Sequence, residues 1–201
     1  MDEAEVERAL TRRLTAEPVG DVLDIGTGTG RILEILGAQA TSGTGLDLSR
    51  EMLALARSKL DRAGLHNCSV RQGDMYQLPW PDKSFDTVIF HQVLHYAEDP
   101  PAALAEAGRV LRPGGRLVVV DFAPHDLVKL RETYAHRHLG FADADISRWS
   151  RKAGVEPADM VHLKGKPLTV TLWLGCKPAA GAQLLPPRRR QARGADKRVT
   201  A

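Results

Sequence analysis

Short apolar runs alternate with amphipathic stretches along most of the chain, which is the pattern of a parallel β-sheet covered by helices. The pattern predicts five strands: DVLDI (21–25), GTGLD (43–47), CSVRQ (68–72), FDTVIF (85–90) and RLVVVDF (116–122). It predicts helices between them at 31–36, 49–63 and 101–111, the second of which begins after Ser49 and stops at Gly64. This order indicates an α/β fold built from βαβ units.

The pattern changes after the fifth predicted strand. Residues 125–141 are expected to be helical, and a short helix over 143–154 should be capped near Asp145. Two last strands, at 158–164 and 168–176, are separated only by GKP. Because this connection is too short for a parallel crossover, we expect an antiparallel hairpin at the edge of the sheet.

Length and composition set the broad class. At 201 residues, 43% of them hydrophobic, the chain fits one domain with a substantial core. It has neither the roughly 20 consecutive apolar residues of a membrane span nor the apolar core of a signal peptide, so a cytoplasmic protein without a membrane partner is expected. Cys68 and Cys176 lack the paired spacing of metal ligands. We therefore predict no metal site and interpret both as reduced, buried small hydrophobic residues.

The net charge of +3 resides in the C-terminal tail. From Pro186 onward the chain carries six basic residues against one acidic residue, so the remainder is slightly acidic. This segment has too few large apolar groups to offset the entropy of ordering it. A disordered basic tail over 179–201 is therefore predicted, and a nucleic-acid partner is not expected.

The stretch VLDIGTGTGRILEIL, residues 22–36, places Gly26, Gly28 and Gly30 two apart in the turn between a strand and a helix. A dinucleotide-binding loop spaces its last pair by three. Asp24 closes the strand at the mouth of this loop, where its carboxylate would repel a pyrophosphate and attract a cationic or amine-bearing group. The spacing and the carboxylate both favour a ligand other than a dinucleotide pyrophosphate.

Two more carboxylates follow the next two strands. Asp47 ends the second strand, from which a carboxylate can accept hydrogen bonds from both hydroxyls of a ribose, although a dehydrogenase would show this too. Asp74 follows the third strand and can accept from an adenine amine beside Met75; alternatively it forms a turn after Gly73. Because open α/β sheets bind ligands at the C-terminal ends of their strands, three carboxylates there indicate one binding site.

Four segments resemble, in this order, the motifs of class I S-adenosylmethionine-dependent methyltransferases: LDIGTGTGR, GLDLSREMLALAR, GDMYQLPWPDKSFDTVIFHQVLHY and AGRVLRPGGRLVVVDF. The resemblance covers about residues 19–176. It implies a Rossmann-like, doubly wound sheet of seven strands, the last of them antiparallel. It also implies a methyltransferase domain over 19–178, preceded by an N-terminal helix within 1–18.

The same resemblance implies S-adenosylmethionine (SAM) as the cofactor and assigns each part of it to a segment. The glycine loop would hold the methionine moiety, the end of the second strand the ribose, and two methionines and an aspartate the adenine. A histidine after the fourth strand would lie on the side of the cofactor carboxylate. In chain order, the implied positions are Asp24, Gly26, Thr27, Gly28, Asp47, Leu48, Met52, Asp74, Met75 and His91.

A closer likeness is carried by HQVLHY, DFAPHDLVKLRETYAHRHLGF and LTVTLWLGCKP. These segments are similar to the methyltransferase half of bacterial proteins in which an ArsR-type winged-helix repressor precedes a type 11, quinone-biosynthesis-like methyltransferase. About 19 residues precede the first strand here, which is enough for one helix over 3–14 and not for a DNA-reading module. A regulator partner or a homo-oligomer is left open.

The acceptor side of the reaction is less defined by the sequence. A base is optional in methyl transfer, and His125 and His136, in the segment after the fifth strand, are weak candidates for one. We expect a small organic acceptor methylated on carbon or oxygen. Two alternatives stay open: a nicotinamide-dependent oxidoreductase, and a regulator-associated domain that binds the cofactor with little or no turnover.

Overall fold

A computed structural model describes residues 3–179 of the chain. Its helices are α1 (Glu3–Leu14), α2 (Arg31–Leu36), α3 (Arg50–Arg62), α4 (Pro100–Val110), α5 (Lys129–Tyr134) and α6 (Asp143–Lys152). Its strands are β1 (Asp21–Ile25), β2 (Ser42–Asp47), β3 (Cys68–Gln72), β4 (Phe85–His91), β5 (Leu111–Phe122), β6 (Glu156–Leu163) and β7 (Val170–Cys176). The predicted tail over 179–201 lies outside the described residues, except for Ala179.

All seven strands form one sheet in the order β3-β2-β1-β4-β5-β7-β6. Neighbours among β1 to β5 are parallel, whereas β7 is antiparallel to both β5 and β6. The strand order reverses between β1 and β4, so the sheet is doubly wound and a crevice opens above that point. The predicted Rossmann-like sheet is confirmed, together with the antiparallel hairpin that ends it.

Helices cover both faces of the sheet. On one face, Leu104 of α4 and Ile146 of α6 belong to the same buried cluster as Phe90 of β4. On the other face, Leu10 of α1 and Leu33 of α2 belong to a second buried cluster. Complete burial of each such side chain stabilises the fold by about 1.5–3 kcal/mol, so the strand ends that carry the polar residues are fixed by a core on both sides.

The first helix packs directly onto the sheet. Val6, Leu10 and Leu14 repeat every four residues along α1 and are all completely buried. At the rim of this contact, Arg31 of α2 donates to Glu7 with an Nε to Oε1 distance of 2.7 Å. The predicted helix over 3–14 therefore covers the same face of the sheet as α2.

Local capping explains why α3 follows the sequence prediction within one residue. The Ser49 hydroxyl accepts a hydrogen bond from the Met52 amide at 3.2 Å, which satisfies one of the free amides of the first turn. Gly64, with φ of +67°, lies just past the other end. This helix start places the end of β2 beside the glycine loop.

Several boundary predictions were wrong. The helix expected over 101–111 ends at Val110, and β5 begins at Leu111 rather than at 116, because residues after it pair irregularly with β4. The helix expected over 125–141 is only the six residues of α5, since Ala135 adopts a φ of +56° that ends it. Helix α6 begins at Asp143 as predicted, but its N-cap is Ala142 and not a residue near Asp145. The last two strands, β6 and β7, each begin two residues from the predicted start. Cys176, expected to be buried, is exposed.

Within residues 3–179 no helix combines the length and the apolar character that crossing a membrane requires. The same part of the chain contains no group of three or more His, Cys, Asp or Glu residues arranged to hold a metal ion.

The contact between α4 and α6 provides a test of the packing. A Cβ atom at Gly108 would collide with the carbonyl oxygen of Ala153 at the end of α6. We expect Gly108→Ala to lower the free energy of unfolding by about 1–3 kcal/mol in spite of the better helix propensity of alanine. Ala105→Gly, at an exposed position of α4, measures the propensity effect alone. Stabilisation by Gly108→Ala in denaturant unfolding would contradict the packing.

Candidate active site

A cleft of about 510 Å³ opens at the C-terminal ends of β1, β2 and β4. It lies at the point where the strand order reverses, which is where doubly wound sheets bind their ligands. Six of the ten positions implied for the cofactor line it: Gly26, Gly28, Asp47, Leu48, Asp74 and Met75. The sequence thus brings residues that follow three different strands to one cavity.

The glycine loop closes one wall of the cleft. The amides of Gly26 and Thr27 both donate to the carbonyl of Leu46, which fixes the loop against β2. Gly26 has a φ of +71°, and a Cβ there would collide with the side chain of Val93. Gly28 also has a positive φ, of +52°, but no atom lies within 4 Å of the position of its Cβ. Its missing side chain leaves free space in the wall of the cleft.

Asp24 lies beneath this loop and is only 1% exposed. Its Oδ2 accepts a hydrogen bond of 2.6 Å from the Thr27 hydroxyl, whereas its Oδ1 is buried and has no hydrogen-bond partner among the described residues. The pKa of Asp24 is raised to about 7, mainly by burial; the Thr27 hydrogen bond lowers it, and the charge of Asp47 raises it by less than burial does. The site thus contains a carboxyl group that a nearby cation would ionise.

Asp47 joins two loops of the cleft. Its Oδ2 accepts from the Gly28 amide at 2.8 Å, and its Oδ1 accepts from the Ser49 amide at 2.9 Å. A carboxylate has about four lone-pair positions, so each oxygen keeps capacity for one more donor. Asp47 can therefore hold the glycine loop and still bind a hydroxyl group of a ligand.

The position of Asp74 is compatible with both sequence interpretations, a turn-forming aspartate and a contact to a ligand. Its Oδ1 accepts from the Tyr76 amide at 3.0 Å, which is the hydrogen bond of an aspartate turn. The same residue and Met75 line the cleft on the side of β3. The turn directs the segment along the cavity, so a structural role for Asp74 is compatible with contact to a ligand.

Three of the implied positions lie outside the lining of the cleft, in addition to Asp24. The hydroxyl of Thr27 donates to the buried Asp24 beneath the loop. Met52, in the first turn of α3, is 41% exposed. Burial lowers the pKa of His91, and the negative charges of Glu3, Asp121 and Glu7 raise it by smaller amounts. Because Glu3 and Glu7 belong to α1, His91 is directed toward that helix. The structure does not bring His91 to the cleft with the glycine loop.

Sequence reasoning missed four residues that also line the cleft. Gln92, Val93 and Tyr96 come from the loop after β4, and Arg137 comes from the segment after α5. The motif HQVLHY contained the first three, but their directions depend on a 3-10 turn at Leu94–Tyr96 that no pattern indicated. Arg137 had no sequence signal, because its position depends on the path of an irregular segment.

The two candidate bases, His125 and His136, lie outside the lining of the cleft. His136 is 8% exposed, and its ring centre lies 4.1 Å from that of His95. Burial lowers the pKa of both His125 and His136, so both are neutral at pH 7. His136 does not lie on the helix expected over 125–141, because α5 ends at Tyr134. Neither His125 nor His136 lines the cleft.

Comparisons with known proteins agree with this geometry. A family model described as a methyltransferase domain matches residues 23–119. The ubiquinone/menaquinone biosynthesis C-methyltransferase of Cellvibrio japonicus is 35% identical over 174 residues, which span 78% of this chain and 70% of that protein. The phosphatidylethanolamine N-methyltransferase of Cereibacter sphaeroides is 38% identical over 120 residues, 57% of this chain and 59% of that protein.

The chain belongs to the S-adenosylmethionine-dependent methyltransferases. A crystal structure of a SAM-dependent methyltransferase from Aquifex aeolicus has the same fold, with a TM-score of 0.71 and 21% identity over 88% of this chain and 94% of that one. Membership in this family confirms the prediction of SAM as the cofactor. The chain spans about half the length of the first curated relatives it matches. Its likeness to repressor-fused methyltransferases stays a prediction.

The buried carboxyl of Asp24 makes stability depend on pH. The folded protein keeps a proton up to about pH 7 that the unfolded chain releases near pH 4, so the free energy of unfolding should fall by a few kcal/mol as pH rises between them. Asp24→Asn has no such group, and we expect a flatter dependence in urea unfolding measured across this range. Equal slopes for the two proteins would contradict the burial of an ionisable Asp24.

Proposed function

We propose that the chain transfers a methyl group from SAM to a small organic acceptor in the cleft between β1, β2 and β4. The observation that carries this proposal is the group of carboxylates around the glycine loop. Asp24 lies beneath the loop and Asp47 accepts from its Gly28 amide, so carboxyl groups are found where a pyrophosphate site would present free loop amides.

The residues present fit the parts of SAM. Asp24 has an unpartnered buried oxygen and a pKa of about 7, so an ammonium or sulfonium nearby would favour its charged form. The open space at Gly28 admits the methionine moiety, and Asp47 has lone pairs free for ribose hydroxyls. Asp74 and Met75 would take the adenine. Met52 and His91 would need to move to reach the ligand, and we do not assign them a contact.

When bound, SAM supplies an electrophilic methyl group on a positively charged sulfur. The contribution of the chain is then to bind and orient this group and to exclude water, which can account for several kcal/mol of the barrier. The glycine loop is fixed on β2, and Asp47 fixes it again from the start of α3. The proposed catalysis depends on positioning, and no general base is assigned.

The family favours a methyltransferase over the nicotinamide-dependent oxidoreductase that the ribose-binding aspartate left open. It does not define the acceptor, because one relative is named for methylation on carbon and the other for methylation on nitrogen. The proposal therefore names a small organic molecule. Incubation of the full chain with SAM and a panel of phenols, enols and amines, followed by measurement of S-adenosylhomocysteine (SAH), tests it. SAM binding without SAH formation on any acceptor would favour a binding domain without turnover.

Asp47 provides a sharper test of the cofactor site. Each hydrogen bond to a charged oxygen contributes about 1.5–3 kcal/mol, so Asp47→Asn should weaken SAH binding about tenfold or more in calorimetry. Because Asp47 also holds the glycine loop, the affinity ratio between SAH and its 2′-deoxy analogue should be measured in each protein. We expect this ratio to shrink in Asp47→Asn, since the variant lacks a charged oxygen to accept from the additional hydroxyl.

Asp61→Asn, at an exposed position of α3, is the matched control and should bind both ligands like the wild type. If Asp47→Asn lowers the affinities of SAH and its deoxy analogue equally, Asp47 supports the loop and does not contact the ribose.

A further inference from the structure

Two segments that are distant in sequence both contribute to the lining of the cleft. Tyr96, in the loop after β4, and Arg137, after α5, line it together with Glu98. In the proposed function the acceptor approaches Tyr96 and Arg137, because Asp47, Asp74 and Met75 are assigned to the cofactor. The side chains of Tyr96 and Arg137 therefore face whatever receives the methyl group.

Backbone hydrogen bonds hold the two segments together. The amides of Arg137 and His138 both donate to the carbonyl of His95, at 3.0 and 3.1 Å. The Nε2 of His138 donates to the carbonyl of Ala97 at 3.0 Å. Arg137 lies outside any helix or strand, but these three hydrogen bonds hold its segment against the loop after β4.

A buried hydrogen bond orients His95, whose ring lies against that of Tyr96. His95 Nδ1 lies 2.8 Å from Oδ1 of Asp121, and both side chains are buried. Asp121 also accepts from the amides of His95 and Phe122, so its position is defined by three donors. The ring centres of Tyr96 and His136 each lie 4.1 Å from that of His95, both in tilted arrangements. Tyr96 thus has an aromatic neighbour of defined position and contributes its ring to the lining of the cleft.

Two side chains of opposite charge, Arg137 and Glu98, line this part of the cleft. Arg137 is exposed, and no carboxylate of residues 3–179 lies within 4.0 Å of its guanidinium. Burial and the charge of Asp121 raise the pKa of Tyr96, so its hydroxyl stays protonated and can donate. This part of the cleft thus offers an unpaired guanidinium, one acidic side chain, one hydroxyl donor and one aromatic face.

We infer that Tyr96 and Arg137 bind the acceptor as an oxyanion on an unsaturated or aromatic framework, such as a phenolate or an enolate. The inference rests on the proposed function and names its substrate class. Bound in this form, the acceptor needs no base during transfer to oxygen: its oxygen forms a bond to the methyl carbon while the bond from that carbon to sulfur breaks. Transfer to a conjugated carbon breaks the same bond, and a ring carbon then releases its hydrogen as a proton to solvent. In both cases the electron pair of the broken bond remains on sulfur.

The test uses para-nitrophenol as the probe, because its phenolate absorbs visible light and its phenol does not. Added to the full chain saturated with SAH, it should bind as the phenolate, and the visible absorbance should rise at a pH below the pKa of the free probe. Arg137→Gln should weaken phenolate binding about tenfold, since a charge-assisted contact is lost. Arg137→Lys, which keeps the positive charge, should retain part of the affinity for the phenolate. Arg131→Gln, an exposed arginine of α5 outside the cleft lining, is the matched control and should bind like the wild type.

Tyr96→Phe keeps the aromatic face and removes the donor, so we expect it to reduce the rise in absorbance while leaving SAH affinity unchanged. A second ligand separates the acceptor from the cofactor. Methylthioadenosine lacks the carboxylate of SAH, so weaker SAH binding with unchanged methylthioadenosine binding in Arg137→Gln would show that Arg137 holds the cofactor carboxylate, which would overturn the inference. Binding of para-nitrophenol as the neutral phenol, or no binding to the SAH complex, would also overturn it. Failure of the wild type to bind SAH would instead refute the proposed function.

Discussion

The two hydrogen bonds accepted by Asp47 connect the parts of the structure on which the site depends. One oxygen holds the Gly28 amide and the other holds the Ser49 amide, so the glycine loop after β1 and the start of α3 after β2 share one carboxylate. Without it, two backbone amides would lie unpaired beside a cavity, and the loop would lose its fixed distance from β2. The cleft is therefore organised before any ligand enters, which lowers the cost of ordering it on binding.

Asp24 complements this arrangement in a different way. It is fully packed within the protein, and its charge is unfavourable there unless a cation approaches. The fold thus holds an unfavourable group at the point proposed to bind the methionine moiety of SAM. Elsewhere in the cleft lining, Tyr96 lies against the buried His95, which is hydrogen-bonded to Asp121, and Arg137 has no ion-pair partner among residues 3–179. In the proposed function these groups bring a positively charged methyl donor to an electron-rich acceptor.

Much of the fold follows from local sequence signals. The Ser49 cap, Gly64 and the apolar spacing of α1 each define an element by interactions within a few residues, so α1 and α3 were predicted within one residue. The segment from 125 to 141 was not, because its composition is helical while its path is determined by contacts with His95 and Ala97 far away in sequence. For the same reason Asp47 and Gly28 could be predicted from strand ends, whereas Arg137 could not. His91 was predicted to follow the fourth strand, but β4 extends to include it, and the alternation of the strand directs it to the face of the sheet that α1 covers.

The central claim is that the carboxylates around the glycine loop make this cleft a site for an adenosyl amino acid rather than for a dinucleotide. Calorimetry on the unmodified full chain, with SAH and with NADH as parallel ligands at the same pH and salt concentration, tests it most directly. We expect saturable binding of SAH with one site per chain and no measurable binding of NADH. Binding of NADH with no binding of SAH would contradict it.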